Sequence, residues 1–443
     1  MNCAHGFWPG GYAVLTLARS DESLGEQQLS WLGNVDINGV RIGTLDSLAE
    51  EFLTECRPPG GITPATVEGF FASAMMRRFG LFTHRRDQNP QLETFLRPLF
   101  GIAANNPVAF PLKHGFCVGF ADRVRHDEID LDAFSASGAG QAVVRDVLND
   151  YYGHLEASHY ADFARLESLL LEFLEQDQLQ HVTGGLRAVL VDEFQDTNYV
   201  QEQIYFALCR LTNASLTVVG DDDQSIFRFR GATVEIFANF EHRVVSALGN
   251  QWQPHRVDLF QNYRSSPAIV DFCNRFATID PSYQGARVPG KLPLQAAAPH
   301  ANYHHPPVLG MFRVDCATLA NDVAGFLHAV FRGNGFTVTC ADGQHAVVRA
   351  GDGDFGDAVL LSHSVQEFAK PRPPQPPRAR LPFHLRNLLE SNFNVPVFNP
   401  RGRSLSDIPS VHRGIDCCAR FVQHEGCTAQ RMLGCCAERA ANI

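Results

Sequence analysis

The sequence predicts an α/β fold built on a parallel sheet, and three stretches carry that prediction. Ala188–Val191 (AVLV) is a short apolar run, rich in β-branched residues, that ends on two acids. Val200, Ile204, Leu208 and Leu211 then recur as one face of a helix. Leu216–Val219 (LTVV) is a second apolar run and closes on Gly220-Asp221. Strand, helix and strand at this spacing form a βαβ unit. Its crossover makes the two strands parallel and gathers functional groups at their carboxyl ends.

The remaining elements follow in chain order. Tyr12–Leu17 (YAVLTL) reads as a short buried strand, and Val40–Thr44 (VRIGT) as a second one running into a helix over 45–53. From Pro64 to about Gln180 the pattern is helical with polar breaks. Its clearest amphipathic stretch is Ala161–Leu174, with Phe163, Leu166, Leu170 and Phe173 at helical spacing. Beyond about Pro281 the texture loosens into Pro, His and Gly, with Asp357–Ser362 (DAVLLS) as a further strand. Lys370–Pro382 (KPRPPQPPRARLP) is a linker or loop that its prolines keep from being helical. There is no internal repeat.

Composition narrows the function classes. A chain of 443 residues with 45% hydrophobic content can build two or three domains with real cores. No apolar run reaches the roughly 18 residues of a membrane span, and Met1–Gly11 has no basic residue to begin a secretory signal, so the cytoplasm is the expected compartment. A net charge of -11 argues against binding nucleic acid through bulk positive charge. It leaves room for a motor that concentrates a few basic and aromatic groups in one channel. Cys3, Cys56, Cys117, Cys209, Cys273, Cys316 and Cys340 are scattered singly, as buried reduced thiols are, whereas Cys417, Cys418, Cys427, Cys435 and Cys436 crowd the last segment.

The chemistry begins where the first strand of the βαβ unit ends. Val191 to Asn198 (VDEFQDTN) sets two adjacent carboxylates at that point, the Walker B arrangement. A Mg2+ ion on nucleotide phosphates takes a carboxylate, usually through water, and attack on a phosphoanhydride needs a second one to orient water. Asp192 suits the first role and Glu193 the second. Taken alone, the pair fits a solvated strand end or a helix N-cap equally well. It is followed, however, by Val219 to Ala232 (VGDDDQSIFRFRGA) after one helix, and then by Leu259 to Val270 (LFQNYRSSPAIV).

Together DEFQDTN, VGDDDQSIFRFRGA and QNYRSSPAIV resemble motifs II, III and IV of the UvrD-like superfamily 1 DNA helicases, in order and at matching spacing. Fainter similarity extends outward. Ala13–Leu17 matches the strand before motif Ia, and Ile42 to Ala49 (IGTLDSLA) resembles motif Ib, with Asp46 where a histidine is commoner. Asp162-Phe163 resembles the element before motif II, while Asp357–Ser364 and Val395–Asp407 resemble the opening of a second RecA-like domain. The resemblance implies a RecA-like P-loop NTPase sheet with a helical insertion and a partial second RecA-like domain. The divisions expected are 1–60 as an N-terminal part of the first RecA-like domain, 61–180 as the insertion, 181–285 as the core of that first domain, 286–411 as part of the second, and 412–443 as an atypical cysteine-rich tail.

The same resemblance implies roles, with ATP and Mg2+ as cofactors and single-stranded or duplex DNA as partner. Asp192 would hold Mg2+ through water, and Glu193 would orient the attacking water. Gln224 would sense the γ-phosphate, and Arg264 would act as an arginine finger. Tyr263 would stack near the adenine. Phe229, where the family more often has tryptophan, would stack on a base beside Arg230, although a core ring fits the same position. Thr44 and Ser47 would touch the DNA backbone.

One required part is missing from the sequence. A phosphate-binding loop needs G-x-x-x-x-G-K-[ST], whose backbone N–H groups, lysine and hydroxyl hold the phosphates and Mg2+. The lysines are Lys113, Lys291 and Lys370. Only Gly285 to Lys291 (GARVPGK) approaches the pattern, and Leu292, Pro289 and Pro293 spoil it. Motifs V and VI are likewise not found after Asp407, where Arg413–Ile443 turns unlike the family. Its CC-x8-C-x7-CC spacing reads as an altered tail rather than as a zinc or iron–sulfur ligand set, which would favour C-x2-C pairs. The expectation is therefore an ATP-dependent helicase or translocase, truncated and without ATPase activity as it stands. The alternatives are a non-catalytic relic or single-strand binding module, and a metal-binding regulator acting through the tail.

Overall fold

The computed structural model describes residues 40–399 apart from 58–62, 68, 226–233, 280, 282–283, 285–286, 298–307, 340–342, 344, 363 and 370–376. The expected strand at Tyr12–Leu17 and the cysteine-rich tail lie outside the described residues. The chain divides into two compact units, Met1–Asp258 with Pro281–Lys291, and Leu259–Asp280 with Leu292–Ile443.

The first unit is α/β. Ala188–Val191 pairs in parallel with Ser215–Val218, Val191 opposite Val218, and the Tyr199–Thr212 helix makes the crossover. The βαβ unit thus forms where the apolar periods place it. The helix starts at Asn198, whose side chain accepts from the Gln201 backbone N–H while the Gln201 side chain bonds back to the Asn198 backbone. It ends at Asn213 in the left-handed region (φ 55°). Val200, Ile204 and Leu208 are buried as expected, but Leu211, in the last turn beyond the packed face, is exposed, and Phe206 and Ala207 are buried instead.

Two helices stack beside this unit. Leu45–Glu55 contributes Ala49, Phe52 and Leu53 to a core shared with Leu166, Leu170 and Leu174 of the Phe163–Glu175 helix and with Val200, Ile204 and Leu208. Complete burial of one such leucine contributes about 1.5–3 kcal/mol, and Leu170→Ala would cost about 2–5 kcal/mol once the cavity is included. Phe163, expected on the buried face, is exposed. It is the first residue after the Asp162 N-cap, and burial on this helix begins beyond it, at Ala164 and Leu166.

The strands themselves are less buried than their apolar runs suggest. Phe206, Cys209, Val244 and Leu248 cover the face that carries Val189 and Leu216. The opposite face carries Leu190, 76% exposed, and nothing among the described residues covers it. Val40–Thr44 is not a strand either. Val40 and Ile42 are exposed, and no described strand pairs with the segment. The expected helical region is present, with Pro90–Leu99, Phe110–His126 and Ala139–Ala157 packed around Leu92, Leu96, Cys117, Val144, Val147, Leu148 and Leu155.

In the second unit Gln261–Asn262 pairs in parallel with Gln295–Ala296, and Phe336–Thr339 forms an antiparallel hairpin with His345–Val348. The Cys316–Phe331 helix packs on Leu381–Phe393 through Ala320, Ala324, Leu327, Leu385 and Leu389. The described residues of this unit do not form a second extended parallel sheet. Asp357–Ser362 is not the expected strand: Asp357 closes a 3-10 turn that starts at Phe355, and the chain after it is unpaired with Val359 and Leu361 exposed. No helix among the described residues is long and apolar enough to cross a membrane.

Candidate functional site

The parallel register brings the carboxyl ends of the two strands side by side. Val219 N–H donates to Val191 O at 2.8 Å, and Phe194 N–H donates to Val219 O at 2.9 Å. The chain leaving the first strand, with Asp192 and Glu193, therefore runs against the chain leaving the second, with Gly220 and Asp221. Gly220 is required by this approach. A Cβ there would stand 2.5 Å from Gln195 Oε1 and 2.9 Å from the Phe237 ring.

Both acids of the first strand are exposed. Asp192 Oδ1 accepts from the Glu193 backbone N–H at 3.0 Å. Glu193 takes a left-handed backbone (φ 52°, ψ 41°), which costs a non-glycine residue about 1–3 kcal/mol and must be held in place by its surroundings. Gln195, 2% exposed, provides that hold. Its Nε2 donates to Glu193 Oε2 at 2.6 Å, and its Oε1 accepts from the Asp221 N–H at 2.9 Å. Sequence reasoning quoted Gln195 within its motif but gave it no role. The available signal was a polar side chain beside Phe194 in a segment too apolar in its surroundings to leave an amide unpaired.

Gln224 sits on a 3-10 turn over Asp222–Gln224, exposed, with its Nε2 donating to Asp221 Oδ2 at 2.8 Å. Asp221, Asp222 and Asp223 all meet the ammonium of Lys291, at 2.5 Å from Asp222 Oδ1 and 2.8 Å from Asp223 Oδ2 and closest of all to Asp221 Oδ1. Burial works against the Lys291 charge, but the hydrogen bonds to the three carboxylates outweigh it and raise its pKa. Burial likewise pushes Asp221 upward, and the Lys291 and Gln224 hydrogen bonds reverse this, leaving its pKa below the usual range. Lys291 is thus committed to carboxylates, in keeping with its rejection as a phosphate-loop lysine. Lys113 is committed too, with Nζ 2.6 Å from Glu93 Oε1. Lys370 lies outside the described residues.

Thr44 and Ser47 cap the helix that begins at Leu45. The Thr44 side chain accepts from the Ser47 N–H at 3.2 Å, and Ser47 Oγ donates to Thr44 O at 2.8 Å. Both remain exposed. Between them, Asp46 reaches the buried Glu167, which accepts from Gln201 Nε2 at 2.6 Å and from Asn198 Nδ2 at 3.2 Å. Burial raises the Glu167 pKa to about 7; the Gln201 hydrogen bond opposes this and the negative Asp46 adds to it. Through this chain the Thr44 end is tied to the helix that follows Asp192-Glu193.

Tyr263 and Arg264 belong to the second unit. Asn262 Oδ1 accepts from the N–H groups of Arg264 (3.0 Å) and Ser265 (2.7 Å), a turn that leaves Tyr263 64% exposed and Arg264 exposed. The Tyr263 hydroxyl donates to Gln261 Oε1. Phe229 and Arg230 lie outside the described residues.

Residues 18–245, more than half of the chain, match the UvrD/REP helicase N-terminal domain. Similar proteins include the ATP-dependent DNA helicase PcrA of Leuconostoc citreum, 36% identical over 162 residues, covering 36% of this chain and 20% of that protein. The probable DNA helicase II homolog of Mycoplasma capricolum is 37% identical over 128 residues, 28% of this chain and 17% of that protein. The ATP-dependent DNA helicase Rep of Buchnera aphidicola is 32% identical over 126 residues, 28% and 18% respectively. The matched stretches thus span no more than a fifth of these relatives. With the motif order, the parallel strand pair and the acids at its carboxyl end on the same footing, the chain belongs to the UvrD/REP helicase family.

Proposed function

We infer that this chain carries the nucleotide-facing and single-strand-facing parts of an ATP-dependent helicase or translocase, and that these 443 residues alone do not turn ATP over. The observation that carries the reading is the Gln195 bridge, which couples Glu193 to the Asp221–Gln224 turn at the ends of the parallel strands. Asp192 offers an exposed carboxylate oxygen suited to Mg2+, an ion that keeps several waters and takes few protein ligands. Bound with a nucleotide, that ion would supply charge neutralisation for the phosphates. Glu193 would orient the attacking water, Gln224 would report on the γ-phosphate, Arg264 would place its guanidinium on that phosphate, and Tyr263 would stack near the adenine. Thr44, Ser47, Phe229 and Arg230 would line the path of single-stranded DNA. In this reading the Leu259–Asp280 and Leu292–Ile443 unit carries part of a second RecA-like domain.

In this reading the isolated chain is inactive because it has no G-x-x-x-x-G-K-[ST] sequence, and Lys113 and Lys291 are already paired to carboxylates. Groups that neutralise a transferring phosphoryl are worth about 10³–10⁵ in rate. DNA-stimulated phosphate release by the purified chain is therefore expected to stay at background. Turnover abolished by Glu193→Gln would overturn that conclusion. The same two lysine pairings favour a second reading, a non-catalytic module that binds single strands. Single-strand binding that is indifferent to nucleotide would select it.

A further inference from the structure

The three consecutive aspartates of the Asp221–Asp223 turn, with ligand oxygens all within 4.8 Å of one another, would by themselves suit a divalent cation. The structure fills that space differently. Lys291, 70 residues on, points its ammonium into the cluster, and its three N–H bonds are matched by one oxygen from each aspartate. Every remaining oxygen also has a donor. Asp221 Oδ2 accepts from Gln224 Nε2 at 2.8 Å, Asp222 Oδ2 from the Val288 N–H at 2.7 Å, and Asp223 Oδ1 from Arg287 Nε at 2.8 Å. Arg287 Nη2 adds a second bond, at 2.9 Å, to Asp223 Oδ2. All six carboxylate oxygens are used, and two cations face three anions. A metal ion entering here would have to displace the lysine.

We propose that Lys291 is the built-in cation of this turn and a positioning residue for Gln224. Its ammonium replaces a divalent ion and, through Asp221, fixes the side chain that the nucleotide reading places on the γ-phosphate. The mechanism is electrostatic. Without the ammonium three carboxylates on successive residues repel one another, and Asp221 is no longer held where its second oxygen can accept from Gln224. Only the role of Gln224 rests on the proposed function; the cation itself does not.

The test uses the full chain without nucleotide. Mn2+ binding is followed by the loss of the free-ion paramagnetic resonance signal, beside melting temperature with and without Mn2+. Lys291→Met is expected to melt about 4 °C or more below the parent, to bind one Mn2+ more than the parent, and to recover its melting temperature on binding it. Lys291→Arg, which keeps the charge, should melt near the parent and bind no extra ion. Asp222→Asn added to Lys291→Met should remove the extra site and relieve part of the destabilisation. If Lys291→Met does not fold, recovery of folding in that double variant supports the proposal, and failure to recover overturns it. A parent protein whose own Mn2+ binding is lost in Asp222→Asn overturns it, as does a Lys291→Met chain that melts and binds Mn2+ like the parent. Nucleotide binding, measured separately on the same variants, bears on the motor reading alone: its absence in all of them would remove that reading while leaving the cation result standing.

Discussion

Gln195→Ala tests the coupling between the two strand ends most directly. The side chain is 2% exposed and makes two separate bonds, from Nε2 to Glu193 Oε2 (2.6 Å) and from the Asp221 N–H to Oε1 (2.9 Å). The bond to Glu193 involves a charge, but Glu193 is exposed, so its loss is worth about 1 kcal/mol rather than the 1.5–3 kcal/mol of a buried charged pair. The Asp221 N–H is left without its partner, at about 1–3 kcal/mol. Together the substitution should cost about 2–4 kcal/mol, or about 4–16 °C at the 2–4 °C per kcal/mol of a unit this size. Urea unfolding followed by circular dichroism reads the first quantity and a thermal scan the second. Gln195→Glu provides an internal control. It retains an acceptor for Asp221 but sets a carboxylate against Glu193, so it should lose more stability at neutral pH than at acid pH. A Gln195→Ala protein within about 0.5 kcal/mol of the parent would refute the bridge as the element that holds Glu193 in its left-handed conformation.

Three further outcomes are expected. Glu167, raised by burial from 4.5 to about 7, binds its proton more tightly folded than unfolded, so its contribution to stability is complete below about pH 4.5 and is lost as pH rises towards about 7. Glu167→Gln should flatten that slope in pH-dependent urea unfolding, and an unchanged slope would place the titration elsewhere. Thr44→Ala should cost about 0.5–2 kcal/mol by removing an N-cap. A fall in single-strand affinity beyond that seen with a stabilising Thr44→Asp cap would assign the hydroxyl to DNA, and equal affinity would leave it as a cap alone. Phe229→Ala should weaken single-strand binding by about 1–3 kcal/mol if the ring stacks on a base. Unchanged affinity with a lowered melting temperature would make the ring part of the core.

Much of the fold was legible because it is local. The apolar runs at Ala188–Val191 and Leu216–Val219 and the helical period between them specify a parallel pair, since a strand–helix–strand connection of that length closes in one hand. Asp162, Thr44 and Asn198 are caps that a side-chain oxygen before a helical period announces. Periodicity could not say how many neighbours a strand or helix end would have. Val40, Ile42, Leu190 and Leu211 are apolar and stand exposed, because burial depends on what packs against an element and not on the element.

The site divides along the same line. Sequence alone placed Asp192 and Glu193 at the end of a strand, since carboxyl ends of parallel strands are where a crossover leaves side chains free to act, and the family resemblance singled out Gln224. Tertiary structure decided how they are held. Gln195 spans from one strand end to the other, Glu167 sets a carboxyl whose pKa burial raises between Asp46 and the Asn198 cap, and Lys291 crosses 70 residues to bond three aspartates. None of these partnerships has a sequence period. Each is set by which side chain a closed chain brings within about 3 Å of an acid, and a charge or amide removed from water is stable only where such a partner stands.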